Sequence, residues 1–532
     1  MASGSLPRQL NGGFGNPSKD LLSGLVVAFA MIPEAIAFSG IAGVDPQVGL
    51  FGAFLLSITI AFVGGRSAMI TSATGSTALL MTGLVATGEA RGEGLGLTYL
   101  LVAGVVTGIL QILWGWLRLA YQMRFVPLGV LSGFVNALAL LIFQAQFPQL
   151  GWNLHFGESN IAGHAHDLLP HGNQLPIIWG LVLLGLVIIY GLPRLTRLVP
   201  SQLVAIVALT AIPIFVFPES GIPTVSSLGD LPTGLPLPSW PFGSPDQLKV
   251  PFSFETLGIV LPTALAISLV GLMETFLTQD ILDDRTDSNS NKNVEARGQG
   301  IANIVSSLFG GMAGCALVGQ SVMNIDNGGR TRLSTLFSGV SLLAMILLGR
   351  PWLEQIPMAA LVAVMISIAV STADIAGLRS IRVIPKSDTA VMLMTFAVTM
   401  LTTPHNLALG VIAGVALAAI LFSRKVAKVI RVDAVDVNEE MRRYVVSGQL
   451  FFVSKIYFLQ GFDMHDHPNQ ITIDMSAAHV WDQSGVSALN QVIRKLQQGG
   501  SNVEVLGLNE ESLNLFERIG SQPEGSHGAR GG

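Results

Sequence analysis

Apolar segments recur along this chain from Leu21 to about Phe422, and the solvent they suit is a lipid bilayer. A helix needs ~20 apolar residues to cross one. Fourteen segments are read, at roughly 21–40, 47–63, 74–87, 98–117, 125–146, 175–192, 201–217, 256–281, 298–313, 320–327, 333–349, 355–376, 388–403 and 405–422. Soluble domains carry roughly a quarter charged residues. This chain of 532 residues is 50% hydrophobic and 12% charged, which makes it a polytopic membrane protein. The expected fold class is an all-α membrane domain of 14 transmembrane segments. Segments 74–87 and 320–327 are too short to span alone.

Lys and Arg concentrate in cytoplasmic loops. With a cytoplasmic N-terminus, the inside loops hold Arg66, Arg118, Arg124, Arg194, Arg197, Arg330, Arg332, Arg379, Arg382, Lys386, Arg424, Lys425 and Lys428. The outside loops hold little beyond Arg91, Lys249 and Arg350. Both termini are then expected inside. Residues 1–20 have no apolar core, so no cleavable signal is read and the first span directs insertion.

The expected domains are a cytoplasmic segment 1–20, a transport domain 21–424, a small α/β domain 432–520 and a disordered Gly-rich tail 521–532. Strand-like runs RYVVSGQLFFV, NQITIDMS and NVEVLGL alternate with helical patterns GVSALNQVIRKLQQ and ESLNLFERIG in the third of these.

Several function classes drop out. The single cysteine, Cys315, excludes a disulfide framework and a multi-cysteine metal site. A net charge of −5 carries no nucleic-acid signal. No G-x-x-x-x-G-K-[ST] loop is present, so ATP is not the energy source. No nucleophile–base pair suggests an enzyme, and no cofactor is expected. His155, His164, His166 and His171 share one outside loop at irregular spacing without an acidic or cysteine partner, so no metal site is read there. His465 and His467 read as surface residues of the α/β domain.

The membrane region repeats. Glu34 lies midway along the first segment, directly after Pro33, and Glu274 lies midway along the eighth. A carboxylate at mid-membrane costs roughly 2.5–3.5 kcal/mol on insertion scales, so such a group faces a cavity, a partner or a pathway. The third segment opens with ITSATGST and the tenth with ALVGQSVM, each followed by a short apolar helix. Each pair is seven segments apart, an odd number, so the halves are inverted. Inverted repeats with interrupted helices mark secondary transporters. Two half-helices entering from opposite sides point both N-termini, each favourable for an anion, at one midplane site. Gly75 and Gly319 permit close backbone approach, and Thr74, Ser76, Thr77, Gln320 and Ser321 add donors.

These residues resemble the SulP anion transporter family, the group of sulfate permeases and prestin. The resemblance rests on IPEAIAFSGIAGVDPQVGLFGAF (32–54), on ARGQGIANIVSSLFGGMAGCALVGQSVMNIDNGGRTRLST (296–335), and on ITIDMSAAHVWDQSGVSAL (471–489), which resembles a STAS domain. It implies two inverted repeats of seven segments, with a core of segments 1–4 and 8–11 and a gate of segments 5–7 and 12–14. It also implies an elevator-like motion and a homodimer in the bacterial inner membrane. By motif position it places the anion at Glu34, Phe38, Thr77, Gly319, Gln320 and Ser321, with Glu274 alongside.

Two departures shape the expected mechanism. Many relatives carry Gln where this chain has Glu34, and Ser-Arg where it has Gly319-Gln320. The pocket loses a fixed cation and gains a titratable acid. An ionised Glu34 repels an anion, whereas a protonated one permits binding and donates a hydrogen bond. The expectation is symport of a small anion with a proton. A dicarboxylate such as fumarate is favoured over bicarbonate or sulfate. The alternative is sodium coupling through Glu274 and Thr278, whose i, i+4 spacing and oxygen ligands suit a hard cation. A membrane sensor signalling through the STAS-like domain is the third reading. Phe38, one turn after Glu34, is either a pocket wall or packing. In the loop Asp482-Gln483-Ser484-Gly485, Gln483 replaces a hydroxyl of the STAS phospho-switch, and Ser484 reads as a helix cap.

Overall fold

The computed structural model describes residues 16–119, 126–152, 174–195, 200–216, 221–229, 231–238, 240–243, 249–402, 407–438, 440–465 and 468–520. Arg124, Arg197, the four loop histidines, His467 and the Gly-rich tail lie outside them. The chain divides into two compact units at Val415/Ala416.

In the first unit and the stretch joining it to the second, a helix stands at each expected segment. They are α1 (Pro17–Ala42), α2 (Pro46–Val63), α3 (Gly75–Glu89), α4 (Leu95–Trp116), α5 (Leu128–Gln144), α6 (Gln174–Leu195), α7 (Ser201–Phe215), α8 (Phe254–Thr286), α9 (Lys292–Leu308), α10 (Val318–Asp326), α11 (Arg332–Leu353) and α12 (Met358–Thr372). A short α13 (Ile375–Ser380), absent from the sequence reading, precedes α14 (Lys386–Leu401) and α15 (Leu407–Ala427). By length and composition, seven of these are long and apolar enough to cross a membrane. The ninth helix departs from expectation. It begins six residues earlier than 298 and stops at Leu308, because Gly310 takes a left-handed conformation (φ 79°) that ends a helix.

The inverted repeat is visible in what packs on what. α4 packs along α9 and α11 along α2, the same pair after a shift of seven segments. The same shift turns α3 on α8 into α10 on α1, and α4 on α8 into α11 on α1. It turns α12 on α6 into α5 on α14, which is the thirteenth segment. Helices α1–α4 and α8–α11 thus form one packed group, and α5–α7, α12 and α14 a second.

Between the unwound stretches that lead into α3 and α10 runs a minimal antiparallel sheet, β1 (Thr71–Ser72) against β2 (Cys315–Ala316). Thr71 pairs with Ala316 and Ser72 with Cys315. All four residues are fully buried or nearly so. Non-helical backbone is tolerated at membrane depth only when protein satisfies its polar groups, and here each lead-in satisfies the other.

The second unit holds β3 (Arg431–Asn438), β4 (Met441–Leu450), α16 (Lys455–Gln460), β5 (Gln470–Val480), α17 (Gln483–Gln498), β6 (Asn502–Leu506) and α18 (Glu510–Gly520). The sheet order is β3-β4-β5-β6. β3 runs antiparallel to β4, and the other pairs are parallel. Tyr444, Val446, Ile473, Val486, Leu489 and Val492 form its core. Strand β3 and helix α16 were not read from sequence. The cap of α17 is Asp482, whose carboxylate accepts from the Gly485 amide at 2.8 Å, which corrects the expectation placed on Ser484.

Asp474 on β5 accepts from the Ser476 hydroxyl (2.6 Å) and amide (2.9 Å) and pairs with Arg443. Those donors, the Ser476 bonds first, hold its carboxyl down to about 2. Such a group stabilises the fold above its unfolded pKa of ~3.9, and the contribution is lost as pH falls through the folded value. Asp474→Asn should therefore lower the temperature at which residues 431–520 become protease-sensitive at pH 7. The difference from the parent protein should shrink towards pH 2.

Candidate functional site

The two half-helices begin differently. α3 is closed by its own side chains. Thr74 Oγ1 accepts from the Thr77 amide at 3.4 Å, and Thr77 Oγ1 accepts from the Thr74 amide at 3.3 Å, a reciprocal capping box. Thr77, expected to bind the anion, therefore commits its hydroxyl to the cap. α10 has no side-chain cap. Its second residue, Gly319, is exposed, and a Cβ placed there would meet no atom within 4 Å. An uncapped helix start beside open space keeps its first amides available to an anion.

Gly75, at the matching position of α3, is packed instead. An added Cβ would lie 2.9 Å from Ile142 and 3.1 Å from the Phe38 ring. A larger residue there would push the Ile142 and Phe38 side chains aside. Phe38 itself is buried among Phe134, Leu138 and Ile142 of α5, so it packs the α3 entrance against the neighbouring helix group.

The acids are paired across the repeat. Gln320, third residue of α10, donates through Nε2 to Glu34 Oε1 on α1. Ser76, second residue of α3, donates to Glu274 Oε2 on α8 at 2.7 Å. Ser76 and Gln320 follow equivalent glycines, Gly75 and Gly319. Each half-helix of one repeat thus holds the mid-helix acid of the other, Glu34 buried and Glu274 partly so.

The two acids differ in how well they are met. Glu274 Oε2 also receives the Cys315 thiol at 2.8 Å, and that sulfur lies 3.3 Å from Thr74 Oγ1. Glu34 sits on a helix that Pro33 has deprived of one amide. It is buried, and its Oε2 has no hydrogen-bond partner among the described residues.

Two expected site residues point elsewhere. Ser321 Oγ accepts from the Ile70 amide at 2.9 Å and so staples α10 to the β1 lead-in. Thr278 donates to the Glu274 carbonyl (2.8 Å) and the Ala316 carbonyl (3.4 Å), not to the Glu274 carboxylate. Among the described residues, no Lys or Arg bonds to Glu34 or Glu274, and no cluster of three His, Cys, Asp or Glu could hold a metal ion.

The model of the sulfate permease family matches residues 18–395, and that of the STAS domain residues 434–525. The chain belongs to the sulfate permease family. Family members are membrane anion transporters, and the chain shares that character with its relatives. YbaR of Bacillus subtilis (strain 168), a candidate sulfate transporter by name, is 42% identical over 509 residues, covering 95% of this chain and 98% of the relative. The transmembrane domain of the cyanobacterial bicarbonate transporter BicA superposes with a TM-score of 0.63 at 28% identity, covering 76% of this chain and 98% of that one. Murine Slc26a9, an anion transporter solved in the inward-facing state, superposes with a TM-score of 0.79, covering 97% and 92%. At 17% identity it establishes the fold.

Within this family frame, the sequence reading named Ser76 as a helix-start donor but left it out of the site. Its alignment with Gln320 was the available signal. Cys315 was weighed only for disulfides and metals, and its position two residues before Leu317 carries no signal of contact with Glu274.

The Glu34–Gln320 bond yields a double-substitution test. Gln320→Leu strands a buried carboxyl and should cost about 1–3 kcal/mol. Replacing both residues by Leu removes the stranded group, so the double variant should melt above Gln320→Leu alone. Thermal unfolding of the purified protein in detergent reads both.

Proposed function

We propose that this protein is a secondary active transporter carrying a small anion together with a proton, and that Glu34 is the group that takes the proton. The observation that supports this reading is the unpartnered Oε2 of Glu34, buried beside the uncapped start of α10. When neutral, that oxygen carries an O–H with no acceptor among the described residues, and an anion at the α10 amides supplies one. When ionised, Glu34 repels the same anion. Only the neutral acid and the anion are compatible in one site, so anion and proton enter together and leave together.

The substrate class is a small oxyanion or carboxylate. With no Lys or Arg among the described residues pairing with either acid, the positive end of the site is backbone. That favours anions whose charge one proton helps offset. A dicarboxylate such as fumarate is the first candidate, and bicarbonate and sulfate are the comparison anions suggested by the names of BicA and YbaR. The grouping of α1–α4 with α8–α11 suits an elevator-like motion of that group past the other helices. The reading includes a homodimer in the bacterial inner membrane with both termini cytoplasmic, and a STAS domain serving assembly or regulation. Sodium coupling gains no support from Glu274, which is met by two donors while Thr278 faces backbone.

Uptake of labelled fumarate, bicarbonate and sulfate into proteoliposomes tests this. An inward proton gradient should drive accumulation of one of them, and Glu34→Gln should abolish that drive while the variant remains folded. Accumulation driven by sodium and indifferent to pH, or unchanged proton drive in the variant, would refute it.

A further inference from the structure

We infer that α9, which supplies no residue to the candidate site, carries the positioning spine of that site. Glu295, Gln299, Asn303 and Ser306 follow one another at helical spacing, and all four are completely buried. A buried polar stripe of this length on a membrane helix is costly unless each group is bonded. Each of these four bonds to an unwound stretch, and Asn303 also donates to Gln111 Oε1 on α4 at 2.8 Å.

Glu295 Oε2 accepts from two consecutive amides, Gly65 at 2.6 Å and Arg66 at 3.0 Å, at the start of the lead-in to α3. Gln299 Nε2 donates to Thr71 Oγ1 on β1 at 2.8 Å and to Glu295 Oε1 at 2.9 Å. Asn303 reads both sides of Gly314, accepting from its amide at 2.8 Å and donating to its carbonyl at 3.2 Å. Ser306 donates to the Met312 carbonyl at 2.8 Å. The first two residues hold the α3 lead-in and the last two the α10 lead-in. One helix therefore sets where both half-helices begin.

The consequence reaches the acids. Gly314 precedes Cys315, whose thiol donates to Glu274, and Thr71 lies in the strand that leads to Thr74 and Ser76. The lead-ins pair with each other through only two residues each, and α9 is the one helix among the described residues whose side chains bond to both of them at these four points. A displaced lead-in moves the Gln320 and Ser76 donors relative to Glu34 and Glu274, and the site loses its shape without losing a ligating atom. Sites of this kind need their groups held within roughly 0.5 Å. Glu295, Asn303 and Ser306 are thus positioning residues, and their substitution should weaken anion binding more than turnover.

This inference rests on the proposed anion site but not on proton coupling, and the test separates the two. The full-length protein in detergent is titrated with bicarbonate, sulfate and fumarate in turn, reading the anion-dependent rise in melting temperature, and its uptake is measured in proteoliposomes. In Asn303→Ala and Glu295→Ala, the half-saturating concentration should rise roughly 3- to 10-fold, the equivalent of about one lost hydrogen bond. Maximal uptake should stay within about twofold, since α9 packs on α2, α4 and α8 of its own helix group and a uniform loss of binding raises KM alone. Glu295→Gln keeps one acceptor oxygen and should recover part of the loss. Ser306→Ala removes a single hydroxyl and serves as the mild variant should the others fail to fold. If the variants lower the melting temperature but leave half-saturation at the parent value, the spine is scaffold only and the inference falls. If the parent protein responds to none of the three anions, the proposed site itself fails.

Discussion

Two short unwound stretches meet at membrane depth, and the rest of the transport unit is arranged so that they can. A backbone amide or carbonyl without a partner in the bilayer costs several kcal/mol. The pairing of Thr71–Ser72 with Cys315–Ala316 satisfies part of that demand. The polar face of α9 satisfies much of the remainder. Once the crossing is fixed, α3 and α10 start near one another from opposite directions, and the inverted repeat brings an acid to each. The crossed bonds Gln320–Glu34 and Ser76–Glu274 follow from that geometry.

The two halves are related in plan but not in chemistry. α3 is closed by a threonine capping box, and Glu274 is met by a hydroxyl and a thiol. α10 is uncapped beside the open side of Gly319, and Glu34 has one oxygen unmet. Symmetry supplies two candidate anion positions, and side-chain detail leaves one of them open. Proton coupling through Glu34 is the function that fits such an asymmetry.

The places of the segments, the two short helices and the repeat were legible because a bilayer imposes length and apolarity directly on sequence. Glu34 and Glu274 were legible for the same reason, as charges where few are tolerated. Which acid meets which half-helix was not, because that pairing is tertiary and joins residues 198 and 286 positions apart. Thr77 and Ser321 looked like ligand donors, yet a hydroxyl at a helix start serves equally well as a cap or a staple, and here each does so. Cys315 has no distinguishing neighbours in sequence and acquires its contact only when β2 crosses β1. Strand β3 is hard to read in sequence because its run VDAVDVN breaks alternation at Ala434-Val435 and carries aspartates, which strands disfavour, at an exposed sheet edge.

The dependence of anion affinity on pH, measured in parallel on the parent protein and on Glu34→Gln, tests the central claim most directly. If only the neutral form of Glu34 accepts the anion, affinity in the parent should fall about tenfold per pH unit on the alkaline side of that group's titration. In Glu34→Gln it should stay flat across the same range. A parent affinity indifferent to pH, or the same alkaline decline in the variant, would contradict it.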